Sequence, residues 1–179
     1  MKISKIMILI GALLTLFSTY FLSFAQTNGA DGRTYASGIG FLFNLPSIIG
    51  NVAYWVGFNG GEAMIIYIVA IVFIVFLLAG IIQLIGLINK YVELIGSIIV
   101  IGISIAIILA VMIDNPGWGM NQYSSLLWAP PIVDGVWPLD VALIGASGVF
   151  YQNLSLGTIS LITGGGLGLT GGIISFKDL

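Results

Sequence analysis

"AMIIYIVAIVFIVFLLAGIIQLIGLINKYVELIGSIIVIGISIAIILAVMI", residues 63–113, sets the architecture of the chain. The hydrocarbon core of a bilayer is about 30 Å thick, and a helix rises about 1.5 Å per residue, so a crossing takes about 20 apolar residues. The stretch holds two such runs, Ala63 to Ile88 and Val92 to Ile113, interrupted only by "NKYVE". So short an interruption makes an antiparallel helical hairpin. Working outward, Ile6 to Phe24 and Leu154 to Phe176 are runs of the same kind. The expectation is an all-α integral membrane protein with four transmembrane helices. One membrane domain covers residues 1–179, with outer loops at 25–62 and 114–153 that carry short interfacial helices.

Composition agrees. The chain is 59% hydrophobic and 7% charged, with a mean hydropathy of +1.15, whereas soluble domains carry about 25% charged residues. Cys and His are both absent, which removes disulfides, the commonest general base and the best zinc ligand. Five scattered basic residues make no patch for nucleic acid. No cofactor, metal or nucleic-acid partner is expected.

Charge placement sets the orientation. With both termini and the hairpin cytoplasmic, Lys2, Lys5, Lys90 and Lys177 lie inside with Glu93 and Asp178. Arg33 then lies outside with Asp31, Glu62, Asp114, Asp134 and Asp140. Positive charge inside is the rule for such proteins, and a multi-pass protein of the plasma membrane is expected. "MKISK", an apolar run and "SFAQ" resemble a signal peptide cut after Ala25. The run is longer than the usual apolar region of about 7–15 residues, so retention as a span is expected.

"GIGFLFNLPSIIGNVAYWVGF" (38–58) is nearly long enough to cross as well. Asn44, Ser47 and Asn51 line one face of it, which predicts an interfacial helix on the outer leaflet, with a re-entrant half-helix as the alternative. "NGGE" (59–62) predicts a capping box, Asn59 as cap and Glu62 three residues on. "DNPGWG" (114–119) predicts the end of the third span.

The last span contains "LITGGGLGLTGGIISF" (161–176). Ser160, Gly164, Gly168 and Gly172 recur every four residues and form a small-residue stripe that lets helix backbones approach closely. Gly102, Ala106 and Ala110 offer a matching face on the third span. Packing of these two spans within one chain is the expected use, contact between subunits the alternative, and an unwound cavity-lining segment a third. Lys90 and Glu93, three residues apart, are expected to pair as a cytoplasmic anchor, and Gln83 to hydrogen-bond to a neighbouring helix.

All four tryptophans, Trp55, Trp118, Trp128 and Trp137, fall in the outer loops with Tyr35, Tyr54, Tyr123 and Tyr151. Such residues favour bilayer interfaces, so the loops are expected to lie on the outer leaflet or to meet a partner. Residues 139–152, opening after Pro138, are expected to form a second short helix. The functional expectation is a non-enzymatic accessory or structural subunit of a larger membrane complex, of respiratory or oxygenase type for example. Its partners would be other membrane subunits, copies of itself, and lipids. A homo-oligomeric channel for small solutes is the alternative. An enzyme working through Glu62, Asp134 or Asp140 at the outer surface is a third reading, which their dispersion in sequence does not favour.

Overall fold

Helix satisfies every backbone group of an isolated apolar run from within the run itself, and long helices carry this fold. The computed structural model describes residues 2–29, 32–59, 62–112, 125–129, 138, 142–145 and 152–177. The helices are α1 (Ile3–Phe21), α2 (Gly38–Gly50), α3 (Val52–Asn59), α4 (Ala63–Ile85), α5 (Lys90–Met112) and α6 (Leu156–Lys177). The strands are β1 (Ala25–Gly29), β2 (Gly32–Ala36), β3 (Trp128–Ala129), β4 (Ala142–Gly145) and β5 (Gln152–Ser155), with a 3-10 turn at Ser125–Leu127. Four helices, α1, α4, α5 and α6, are long and apolar enough to cross a membrane.

These four close a ring: α1 packs on α6, α6 on α5, α5 on α4, and α4 on α1. Small and polar residues turn inward. On α1 the buried positions are Ser4, Ile8, Gly11, Ala12, Thr15, Ser18 and Thr19, while Ile10, Leu13, Phe17 and Phe21 point out. In lipid a large apolar side chain gains nothing by turning inward, so close backbone approach decides the packing. Hydroxyls on these helices bond back to the carbonyl four residues earlier, as in Thr15 to Gly11 (2.9 Å) and Ser104 to Val100 (2.7 Å). That geometry keeps a hydroxyl satisfied without a partner helix.

The α4–α5 connection is the tight turn 86–89, and Asn89 Oδ1 accepts from Tyr91 N at 3.0 Å to start α5. At the opposite end of the ring lies a feature not expected from the sequence, a five-stranded antiparallel sheet in the order β3-β2-β1-β5-β4. Since β1 follows α1 directly and β5 leads directly into α6, their pairing, Ala25 opposite Leu154, ties the first long helix to the last. Further bonds seal the join: Ser155 N donates to Phe24 O (2.9 Å), Gly157 N to Ser23 O (3.1 Å), and Thr158 Oγ1 to Phe24 O (2.7 Å). The expected helix over 139–152 is therefore corrected. Residues 142–145 and 152 are strand because each finds a backbone partner across the sheet.

Residues 38–59 form two helices rather than the one expected, bent by 110° at Asn51. Asn51 ends α2 by donating its N–H to Ser47 O (2.8 Å), and its side chain accepts from Tyr54 N (3.4 Å) at the start of α3. The polar face is used within the protein. Asn44 Nδ2 donates to Leu126 O (3.0 Å), and Trp55 Nε1 donates to Ser47 Oγ (3.2 Å). Phe41 of α2 meets Phe73 of α4 edge-on at 5.4 Å, joining a core that includes Phe24, Phe76, Ile48 and Leu126. The expected capping box does not form. Glu62 makes no side-chain cap, because Asn59 is buried and engaged elsewhere: it donates to Trp55 O (2.8 Å) and accepts from Ser125 Oγ (2.6 Å). The expected stop at 114–119 lies outside the described residues.

Candidate functional site

Several of the buried hydroxyls bond back within their own helix, so a polar cluster that joins two helices marks the site. Gln83 sits in the last turn before the hairpin, and Glu93 and Ser97 in the first two turns after it. Gln83 Nε2 donates to Ser97 Oγ at 3.0 Å, and Ser97 Oγ donates to Glu93 Oε1 at 2.7 Å. All three side chains are fully enclosed, at 0% exposure. Burying a carboxylate is costly unless it is hydrogen-bonded, and Ser97 supplies one such bond. Glu93 Oε2 and Gln83 Oε1 have no hydrogen-bond partner among the described residues.

Glycine makes room for the cluster. A Cβ added at Gly168 would strike Glu93 Oε1 and Ser97 Oγ and come within 2.8 Å of Gln83 Nε2. One added at Gly86 would strike Glu93 Oε2. Gly96 lets α4 and α5 approach, since its added Cβ would meet Gln83 Cγ at 3.1 Å. A hydrogen-bonded chain of amide, hydroxyl and carboxylate thus links α4 to α5 and is roofed by α6. It can hold three helices in register. Among the described residues no three His, Cys, Asp or Glu gather as metal ligands.

The expected stripe on α6 divides between two neighbours. At Gly164 an added Cβ would meet Thr15 Oγ1 at 2.7 Å and Gly11 O at 2.9 Å on α1. Gly168 borders both α1, through Gly11, and the cluster on α5; Gly172 meets Leu94 and Glu93 of α5. Ser160 is half-buried. Two glycines off the stripe are equally enclosed, Gly171 against Ser4 and Ile8 of α1, and Gly165 against Val100 and Ile101 of α5.

The matching face on α5 is corrected. Gly102 is exposed, with open space around its Cα, Ala106 is half-buried, and the side chain of Ala110 lies outside the described ones. What α5 turns inward is Glu93, Ser97, Val100, Ser104 and Ile107. The reason is energetic: a polar group facing lipid is penalised more than a glycine facing it. The Glu93–Ser97–Ser104 line was the signal that sequence reasoning missed, since polar residues at helical spacing in an apolar run mark its inner face.

Lys90 and Glu93 do not pair. Glu93 turns into the ring, while Lys90 Nζ lies 3.9 Å from the centre of the Phe176 ring. A cation over an aromatic face keeps its favourable electrostatics at the membrane boundary. Beside it opens a cleft of about 640 Å³, lined by Lys2, by Ser4, Lys5 and Ile8 of α1, by the 86–89 turn, and by Lys90, Tyr91 and Ser175.

Of the outer aromatics, Trp55 is buried and bonded to Ser47, and Trp128 pairs through its backbone with Ala36. Trp118 and Trp137 lie outside the described residues. So do Asp134 and Asp140, while Glu62 stands at the start of α4, at the end of the bundle away from the cluster. No protein-family model, curated protein or solved structure matches the chain.

Proposed function

We propose that the chain is a non-enzymatic, multi-pass subunit of the plasma membrane that assembles with other membrane proteins, its termini and 86–89 turn cytoplasmic. One observation carries this reading: Gly102 stands on the outward face of α5 with nothing within 4 Å of where its Cβ would be. Ala106 follows one turn later, so the face is smooth enough to seat a helix, and no described residue of this chain covers it at Gly102. Phe43, Ile49, Tyr54 and Phe58 of the bent α2–α3 pair, all exposed, add a second apolar surface beside α4. The α6 ridge is already occupied by α1 and α5, so a homo-oligomeric pore loses the contact on which it was to be built. Retention of the N-terminal span fits the same reading, because cutting after Ala25 would strip α6 of Gly11 and Thr15.

Native mass spectrometry after mild detergent extraction tests the proposal. Co-extracted membrane subunits are the expected result, and Gly102→Leu should shed them without lowering the melting temperature of the chain itself. A lone monomer from the wild-type membrane would overturn it. The orientation is checked separately. The chain has no Cys, so a single Cys at position 89 should react with an impermeant maleimide only from the cytoplasmic side.

A further inference from the structure

We infer that the hairpin-end cleft is a binding site for the headgroup of an anionic phospholipid. Three lysines line it, Lys2 just before α1, Lys5 in the first turn of α1 and Lys90 in the first turn of α5. Ser4, Asn89 and Ser175 add hydrogen-bonding groups. Lys90 is held in place by its ring contact with Phe176, itself braced by Tyr91 at 5.2 Å. Among the described residues the charged groups on the cleft are lysines; Glu93, behind Gly86, is fully buried and bonded within its own cluster. Basic pockets between helix ends on the cytoplasmic side suit anionic headgroups.

The rim selects a lipid over a free anion. Ile88, on the cleft, is 92% exposed, and Tyr91 63%. Large apolar side chains beside a cationic hollow, at the end of membrane-spanning helices, match one molecule with both an anionic head and acyl chains. The inference rests on the orientation proposed above but not on the subunit reading, because the site is complete within one chain.

The test uses the full-length protein in native mass spectrometry. It is titrated with phosphatidylglycerol, with phosphatidylcholine of the same acyl chains, or with inorganic phosphate. Phosphatidylglycerol should bind at one saturable site at least tenfold more tightly than phosphatidylcholine. Lys5→Gln combined with Lys90→Gln should abolish that preference, while Arg33→Gln, at the sheet end, should leave it intact. Melting curves without lipid check that each variant folds. Equal binding of the two lipids would overturn the inference, as would an equal loss in Arg33→Gln. If phosphate alone occupied the site and displaced phosphatidylglycerol, the site would be one for free anions and the lipid assignment would fall. Should the double variant not fold, a wild-type preference that survives high salt would overturn it too, since a headgroup held by lysine charge is screened.

Discussion

The two ends of the helical ring are held by different chemistry. At the sheet end the joins are backbone hydrogen bonds: β1 to β5, Ser155 to Phe24, Gly157 to Ser23. At the hairpin end a chain of three side chains, Gln83, Ser97 and Glu93, does the joining, in a space opened by glycines. Backbone pairing is indifferent to most side-chain identities, whereas a cluster of three fails when one member goes. The hairpin end should therefore be brittle under substitution and the sheet end tolerant.

The largest effect is expected at Gly168. Leucine there would have to displace Glu93, Ser97 and Gln83 at once, and overpacking costs about 1–3 kcal/mol even where neighbours can give. Gly168→Leu should leave no monodisperse protein on size exclusion in detergent. Next comes Ser97→Ala, which strands Gln83 Nε2 and a second Glu93 oxygen. Each buried polar group left unpaired costs about 1–3 kcal/mol, and thermal unfolding should show a clear drop. At the sheet end Thr158→Val removes one bond to Phe24 O but leaves the backbone bonds around it, for a loss of about 1 kcal/mol or less. If Thr158→Val destabilised as much as Ser97→Ala, the contrast between the ends would be broken. Smallest of all, Gly102→Ala should not change the melting temperature of the isolated chain, because a methyl group there meets nothing.

The long helices were legible from the sequence because the length rule for crossing lipid is local: each run announces itself without reference to any partner. The α4–α5 turn was legible for the same reason. The sheet was not. Ala25–Gly29 becomes a strand only because Gly32–Ala36 and Gln152–Ser155 meet it, although "NGADG" between the first two is a turn signal of the hairpin kind. Glu93 had two plausible partners at helical spacing, Lys90 and Ser97, and only the position of α6 and α4 chooses between them. Small residues misled on α5 for a related reason. A smooth face on Gly102 and a polar face on Ser97 cannot both turn inward, and the alternation of the buried polar positions decides it. In α2–α3 the polar residues signalled neither the bend at Asn51 nor the partner of Asn44, since Leu126 belongs to a distant turn.

The seal between Thr158 and Phe24 joins residues 134 positions apart in the chain. During synthesis α1 is laid into the bilayer long before α6 exists, and until then its glycine and threonine face has only lipid or a temporary companion against it. Closure therefore waits for α6, and a long-range contact of this kind is slow to make. A ribosome that stalls before the final helix leaves behind an open horseshoe with its inner lining bare.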